Sequence, residues 1–356
     1  MNQARLTALA LALCLARAAA AGSLLSPEVA ANPPFVVGVN YPWYQEAGQH
    51  YYGQSFGGLT EARKHTIASQ LDEIAGTGVR AIRIWTLAAG GPWLDLTTPL
   101  PASTIEDLRW FIRAAHQRGM GVMPSIWDFY LNKTHRPLIE DAAARAKLIS
   151  LYVEPLVRAL SAEPGLLAWD LCNEPEWMVR WVPWGKPGDA RGPGSDQGRP
   201  PGAPDHRWPD VGPGHSLSAI RAFLSPQIEA IHRAGGRVTI GAVSPWTVRL
   251  WKGMGLDEYH VHFYPPDATA FLGDAQYFVL PAVKRLGLDR PCTLAEFAPN
   301  GRHTHLVEIL KMVRDRGYAG AWAWAYFGVG FPEDMTHPFS FRAREADFRA
   351  FTQSTR

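Results

Sequence analysis

Three features are scarce in this chain of 356 residues: cysteine, net charge and long apolar runs. Three cysteines exclude a fold that depends on a dense disulfide framework. The 35 Lys and Arg residues nearly balance the 33 Asp and Glu residues, giving a net charge of +2. No basic patch of the kind that binds nucleic acid or anionic membranes is therefore predicted. We expect no nucleic-acid or membrane partner and no cofactor, and we expect the protein to be a monomer.

The first residues have the pattern of a secretory signal. Arg5 precedes an apolar run from Leu6 to Ala16, and small residues follow it. Arg17 interrupts the run well short of the length that spans a bilayer. We therefore predict a cleaved signal peptide over residues 1–22 and export to the periplasm or the medium.

Behind this segment, short apolar runs alternate with longer amphipathic stretches. Near-continuous apolar runs of this length are typical of parallel strands buried on both faces. The eight runs are Phe35–Asn40, Val79–Trp85, Gly121–Trp127, Leu166–Cys172, Val238–Val243, Glu258–Phe263, Thr293–Glu296 and Ala321–Trp324. Eight strand–helix units predict an α/β fold, a single (β/α)8 TIM barrel over residues 33–356. The helix after the fifth strand is the least clearly marked.

Two local features refine this prediction. Ser103, with Glu106 three residues later, predicts a capping box at a helix start. After the fourth strand, residues 177–215 form a long insertion whose second part is rich in Gly and Pro. Its first part carries Trp177 and two further tryptophans, which indicates a wall beside the leaving group. The alternatives are that these tryptophans cover outer helices and that the remainder is a disordered tether.

The predicted carboxyl ends of the strands collect side chains suited to carbohydrate chemistry. Active sites of such barrels lie at these ends. Glu174 and Glu296 follow the fourth and seventh strands, and glycosidic cleavage requires two carboxyl groups. Amide, imidazole and guanidinium groups accompany them, and the chain holds 14 Trp, whose rings can stack on sugar faces. An oligosaccharide or polysaccharide is the predicted substrate.

These motifs resemble glycoside hydrolase clan A, and within it the cellulase family, family 5. The segment from Trp169 to Pro175 resembles the Asn-Glu-Pro signature of the fourth strand. Leu294 to Phe297 resembles the nucleophile site of the seventh strand. Three further matches are the second-strand Arg83, the sixth-strand His262 to Tyr264 and the eighth-strand Trp322 to Trp324. The resemblance extends from about Phe35 to Trp324.

The resemblance implies a retaining β-glycoside hydrolase that works by double displacement, on glucan or mannan. Glu174 would be the general acid/base and Glu296 the nucleophile, with carboxyl groups about 5–5.5 Å apart. Arg83 would keep Glu296 ionised, because a nearby cation favours a carboxylate. The other implied contacts are Asn173 to the sugar 2-hydroxyl, Tyr264 to Glu296, and Trp324 as the floor of the −1 subsite.

The third strand departs from the family, which often carries a histidine there. Trp127 and Asp128 stand in its place and are further candidates for substrate binding. We also predict substrate binding by the remaining candidates near the strand ends, namely Trp43, Trp85, Trp177 and His262.

Several other interpretations stay open. His260 and His262 form an H-x-H motif, which leaves a metal-dependent hydrolase as an alternative, although we expect no metal. A catalytically inactive carbohydrate-binding barrel is the other alternative. Asp170 is predicted to be a buried pairing partner, and Cys172 and Cys292 inert core thiols.

Overall fold

The computed structural model describes most of the predicted catalytic domain. The described residues are 34–42, 45–46, 49–50, 56–88, 90, 94–180, 213–263, 280–297, 299, 306–326 and 341–354. The predicted signal peptide, most of the insertion, Trp43 and Tyr264 lie outside these residues.

Eight parallel strands close into a barrel, as predicted. They are β1 (Val36–Tyr41), β2 (Ala81–Ala88), β3 (Gly121–Asp128), β4 (Trp169–Asn173), β5 (Val238–Ala242), β6 (Tyr259–Phe263), β7 (Cys292–Phe297) and β8 (Gly320–Ala323). Each strand pairs with the next, and β1 closes the ring by pairing with β8. The (β/α)8 fold class is thereby confirmed. A separate two-stranded antiparallel sheet joins residues 45–46 and 49–50.

Helices surround the barrel. They are α1 (Glu61–Gly76), α2 (Ala102–His116), α3 (Leu131–Thr134), α4 (Pro137–Glu140), α5 (Ala142–Leu148), α6 (Glu154–Leu160), α7 (Leu217–Arg233), α8 (Leu306–Asp315) and α9 (Glu345–Ser354). A π turn, Ile149–Val153, links α5 to α6. Short 3₁₀ turns cover Pro175–Met178, Val248–Trp251, Val283–Arg285 and Arg342–Arg344.

Two local predictions are wrong. Between β5 and β6 the chain forms the 3₁₀ turn Val248–Trp251 instead of an α-helix, so the fifth unit is shortened. The predicted capping box also fails, because α2 begins one residue before Ser103. Pro101 occupies the cap position, and no side chain hydrogen-bonds there. The fixed φ of proline starts this helix without a hydroxyl cap.

The core has two parts. The larger part lies between the strands and the helices, where the apolar face of α2 buries Leu108, Ile112 and Ala115. The smaller part fills the barrel interior with Ala81, Met123, Ala168, Ala295 and Trp322. Gly38 is required beside it, because a Cβ there would lie 2.4 Å from the Trp322 ring. Filling of this interior leaves the carboxyl ends of the strands as the place for chemistry.

The thiols of Cys172 and Cys292 are free and buried on different strands. Burial raises the pKa of both thiols, which disfavours the reactive thiolate. Within the part of the chain described, no helix combines the length and apolar character needed to cross a membrane.

Candidate active site

Glu174 occupies a sharp turn directly after β4. Its backbone is left-handed, with φ 46° and ψ 52°, a conformation that costs a non-glycine residue about 1 kcal/mol or more. The Glu174 N–H donates to the carbonyl of Gly241 at 2.7 Å. Pro175 then begins a 3₁₀ turn with its φ already fixed. The turn directs the chain away from the barrel axis immediately after the carboxylic acid.

The carboxyl group of Glu174 has two close partners. Its Oε1 lies 2.7 Å from Nδ1 of His262, and its Oε2 accepts a hydrogen bond from the Trp177 indole N–H at 2.6 Å. Burial raises the pKa of Glu174 to about 7, although the hydrogen bond from Trp177 acts in the opposite direction. A carboxyl group with this pKa can hold a proton near neutral pH and then release it.

Glu296 lies on β7 opposite His262 on β6, since the two residues are register partners. Its carboxylate forms an ion pair with the guanidinium of Arg83, and its Oε2 lies 3.4 Å from His262 Nδ1. Burial raises the pKa of Glu296, while His262 and Arg83 both act to lower it. The direct ion pair with Arg83 favours the charged form of this carboxyl group.

Arg83 is completely buried and is the charged centre beneath both glutamates. Its Nε donates to Asp170 Oδ2 at 2.9 Å. Its Nη1 donates to Asn40 Oδ1 at 3.1 Å, and its Nη2 donates to Asn173 Oδ1 at 2.8 Å. Burial acts against the cation, but Asp170 and Glu296 together raise the pKa of Arg83 above its usual value. The predicted pairing of Asp170 is confirmed.

Asp170 is itself held by the backbone. Its Oδ1 accepts from the Gly241 N–H at 2.9 Å. A Cβ on residue 241 would lie 2.9 Å from Arg83 Nη2 and 3.3 Å from Asp170 Oδ2. Glycine is therefore needed there for the backbone to approach the ion pair closely.

Two aromatic rings lie beside the charged groups. The Arg83 guanidinium lies 4.3 Å from the centroid of the Trp85 ring, a favourable cation–π contact. The Trp85 and Trp324 centroids are 5.2 Å apart at an interplanar angle of 81°. Trp324 follows β8 and is partly buried. Both predicted aromatic residues thus lie near Arg83, but Trp85 is fully buried and only Trp324 is partly exposed.

Trp127 and Asp128, the two candidates on β3, do not have the contacts expected of sugar-binding groups. Trp127 is fully buried, and its indole N–H donates to Gln227 of α7 at 2.8 Å. Its ring therefore packs between the barrel and a helix, and the predicted role of Trp127 in substrate binding is wrong. Asp128 is also fully buried and accepts a hydrogen bond from Asn173 Nδ2 at 2.9 Å. It orients Asn173 instead of facing the cleft.

Two residues outside the predicted catalytic and substrate-binding set contribute to this arrangement. Asn40, at the end of β1, accepts from Arg83 and donates to the carbonyl of Ala295 at 2.8 Å. Glu176 is fully buried and accepts hydrogen bonds from Thr247 and Trp251. For Glu176 the sequence offers a signal, because it is a second acid directly after Pro175 in an otherwise apolar stretch.

Among the described residues, one group has metal-ligand spacing: Glu174, His262 and Glu296, with one donor atom from each within 4.8 Å of the others. Arg83 contacts one of these carboxylates directly, and its charge opposes a bound dication. Burial lowers the pKa of His262 to about 4, so its ring is neutral at pH 7. His260 lies apart from this group, with its ring edge-on to Trp322 at 4.9 Å. The H-x-H motif therefore contributes one histidine to the site.

The (β/α)8 barrel carries two acidic groups at the ends of β4 and β7, one of them beside an arginine, and this is the arrangement that the resemblance to clan A glycoside hydrolases implies. Comparisons with known proteins confirm this resemblance, although no protein-family profile matches the chain. A mannan endo-1,4-beta-mannosidase of Mytilus edulis is 25% identical over 355 residues, covering 90% of this chain and 91% of the relative.

Solved structures share the fold. An endo-1,4-beta-mannanase of Eisenia fetida superposes with a TM-score of 0.68 at 22% identity, covering 90% of this chain and 91% of the neighbour. A GH5_18 protein of Streptomyces cattleya, solved in complex with Manb1-4GlcNAc, gives a TM-score of 0.61 at 17% identity, covering 90% and 80%. With the curated relatives taken into account, the chain is thus a glycoside hydrolase that acts on O-glycosyl bonds.

Proposed function

We propose that this protein hydrolyses β-1,4-linked mannan with net retention of configuration, using Glu174 as general acid/base and Glu296 as nucleophile. The observation that carries the proposal is the convergence of both carboxyl groups on His262 Nδ1, at 2.7 and 3.4 Å. An oxygen of each carboxyl group thereby lies within 4.8 Å of an oxygen of the other.

This spacing supports double displacement. A retaining enzyme holds its carboxyl groups about 5–5.5 Å apart, whereas an inverting enzyme separates them by about 6.5–9.5 Å to admit a water molecule. An oxygen pair within 4.8 Å is closer to the retaining separation than to the inverting one. Direct attack by a carboxylate is the mechanism that fits.

The contrast in charge supports the proposed roles. Glu296 contacts the Arg83 cation, so it is suited to attack the anomeric carbon as a carboxylate. As that bond forms, the glycosidic C–O bond breaks and the proton of Glu174 moves to the departing oxygen. In the second half, Glu174 takes a proton from water while the water oxygen displaces Glu296 from the sugar. A pKa of about 7 allows Glu174 both duties.

The substrate class follows from the relatives together with the aromatic residues. The curated relatives of 25% and 23% identity are both named as mannan endo-1,4-beta-mannosidases. Trp324 is partly buried beside Trp85, which leaves part of its ring available to stack on a sugar face. Asn173 is fixed by Arg83 and Asp128, and its remaining amide hydrogen is suited to a ring hydroxyl. We infer as well that residues 1–22 direct export, which brings the enzyme to an extracellular polymer.

The test follows the anomeric configuration of the first product. Mannohexaose is digested in an NMR tube, with cellohexaose and xylohexaose as matched controls and EDTA in a parallel sample. We expect mannohexaose to be cleaved fastest, β-anomeric ends to appear first, and EDTA to have no effect. Initial α-anomeric product would refute double displacement. Preference for cellohexaose or xylohexaose would refute the substrate, and loss of activity with EDTA would favour a metal-dependent hydrolase.

A further inference from the structure

The turn that follows Glu174 carries a second buried acid, Glu176. Its carboxyl group accepts three hydrogen bonds from the segment after β5. The donors are Thr247 Oγ1 at 2.8 Å, the Trp251 indole N–H at 2.9 Å and the backbone N–H of Val243 at 3.3 Å. A group with this many donors fixes the position of its own backbone. The 3₁₀ turn Pro175–Met178 is therefore fastened to the neighbouring strand end.

Trp177 lies next to this anchored acid and turns its indole back to Glu174. The ring is 9% exposed and lies 6.2 Å from the ring of Phe129. Its backbone N–H donates to the Glu174 carbonyl at 3.1 Å, and its indole N–H donates to Glu174 Oε2 at 2.6 Å. The indole is therefore held against Oε2 of Glu174.

The chemistry of the indole determines what this contact does. An indole N–H can only donate, so Oε2 of Glu174 must accept in every protonation state. A protonated carboxyl group accepts best at its carbonyl oxygen, which places the acid proton on the other oxygen, Oε1. That oxygen lies 2.7 Å from Nδ1 of His262, which accepts the proton's hydrogen bond in the neutral tautomer that carries its ring proton on Nε2.

We propose that Trp177 is a positioning residue that fixes the catalytic proton on Oε1 of Glu174, and that Glu176 holds Trp177 in place for this purpose. The proposal rests on the proposed role of Glu174 as general acid/base. It differs from the predicted role of Trp177 as a wall for the leaving group, because it concerns the proton and not the sugar.

The other charged and titratable groups around Glu174 belong to the barrel and do not depend on Trp177. They are Arg83 of β2, Asp128 of β3, Asp170 of β4, His262 of β6 and Glu296 of β7. Substitution of Trp177 leaves these groups in place. A change in the titration of Glu174 in such a variant therefore reports the lost N–H donor.

The first experiment compares the pH profiles of wild type and Trp177→Phe on mannohexaose. Wild-type kcat/KM should fall as pH rises through about 7, where Glu174 loses its proton. The variant keeps an apolar ring but loses the donor that stabilises the ionised carboxylate. Its alkaline limb should move upward by about one pH unit, with little change in KM. Trp110→Phe, on α2, is the matched control and should leave the profile unchanged.

The second experiment does not depend on turnover. In ¹⁵N-tryptophan-labelled wild type, the Trp177 indole N–H signal, identified by its loss in Trp177→Phe, should titrate near pH 7 and should stop titrating in Glu174→Gln. The Trp251 signal reports Glu176, whose pKa burial also raises to about 7, and should titrate in both proteins. Continued titration of the Trp177 signal in Glu174→Gln would overturn the assignment. Thr247→Val, which removes one donor to Glu176, should shift the alkaline limb in the same direction by a smaller amount.

Two outcomes contradict the proposal. An unmoved alkaline limb with a raised KM in Trp177→Phe would make Trp177 a substrate contact alone. An unmoved limb in Thr247→Val, with a shifted limb in Trp177→Phe, would remove Glu176 from the positioning role. Failure of the proposed function would appear separately, as the wrong anomer or the wrong hexasaccharide, while the indole titration would be unaffected.

Discussion

The two glutamates of the site have the same side chain, and Glu296 is buried while Glu174 is partly buried, yet their neighbours differ in charge. Glu296 contacts the guanidinium of Arg83. Glu174 contacts a neutral imidazole and a neutral indole. Burial alone would raise the pKa of both carboxyl groups equally well, so it cannot separate their roles. The difference lies in the Arg83 cation, which contacts the carboxylate of Glu296 and not that of Glu174.

The supporting structures differ as well. Glu296 is supported by side chains inside the barrel, where Arg83 joins Asn40 of β1, Asp170 and Asn173 of β4 and Glu296 of β7. Glu174 is supported by a turn that is anchored outside the barrel through Glu176. Changes in the barrel interior should therefore affect the nucleophile, and changes in the β4 and β5 loops should affect the acid.

The largest effect is expected when the nucleophile is removed. Glu296→Gln keeps the shape of the side chain but cannot form a glycosyl bond, so kcat should fall by at least about a thousandfold on every substrate. Circular dichroism should show an intact fold. Glu308→Gln, on the exposed side of α8, is the control and should retain wild-type kcat. Retention of more than about a tenth of the activity by Glu296→Gln would exclude it as nucleophile.

Removal of the acid should depend on the leaving group. Glu174→Ala should reduce hydrolysis of mannan by about a hundred- to ten-thousandfold, because a poor leaving group needs its proton. An activated aryl β-mannooligosaccharide should still form the glycosyl-enzyme and then stall. Added azide should restore turnover and give a β-glycosyl azide, identified by NMR. An α-azide product would contradict double displacement.

Asp170 distinguishes the two supporting structures. In Asp170→Asn, the NH₂ group of the amide must face either the Arg83 donors or the Gly241 N–H, and neither can accept from it. The Arg83 cation therefore loses its fixed position. Loss of a buried ion-pair partner should destabilise the fold by about 3 kcal/mol, measured by urea unfolding. The kcat should fall by roughly ten- to a hundredfold, because Arg83 no longer holds Glu296.

An exposed ion pair gives the control for this substitution. Arg118 and Asp72 form such a pair on the outer helices. Asp72→Asn should leave kcat and the urea midpoint unchanged, because exposed pairs contribute little. Equal behaviour of Asp170→Asn and Asp72→Asn would show that Arg83 does not depend on Asp170.

The comparison also explains which parts of the site were predictable from sequence. The strands were predictable because eight apolar runs carry a strong periodic signal, and strand ends place Glu174, Arg83 and Glu296 at one mouth. The orientation of a side chain within a strand end is a weaker signal. Trp127 was misassigned because it points to α7, although its neighbour Asp128 contacts Asn173.

Contacts between distant segments carried no sequence signal. The hydrogen bonds of Glu176 reach Thr247 and Trp251, about seventy residues away along the chain. Likewise, the helix missing after β5 could not be inferred, because a short turn and a weak amphipathic pattern look alike in sequence. The acid side, which depends on loops, was therefore less predictable than the nucleophile side.

The smallest effect is expected from the insertion on the acid side. Its two described ends meet, because Arg180 N–H donates to the His215 carbonyl and His215 N–H donates to the Met178 carbonyl, each at 2.7 Å. His215 Nε2 also lies 2.6 Å from Asn132 Oδ1. Replacement of residues 186–212 by a short glycine linker leaves these contacts intact, so the fold and the kcat on small aryl glycosides should persist. The KM for mannohexaose should rise roughly three- to tenfold if the insertion supports a distal sugar contact. Unchanged kinetics at every chain length would remove the insertion from the substrate site and leave the Glu174 turn as the whole of the acid side.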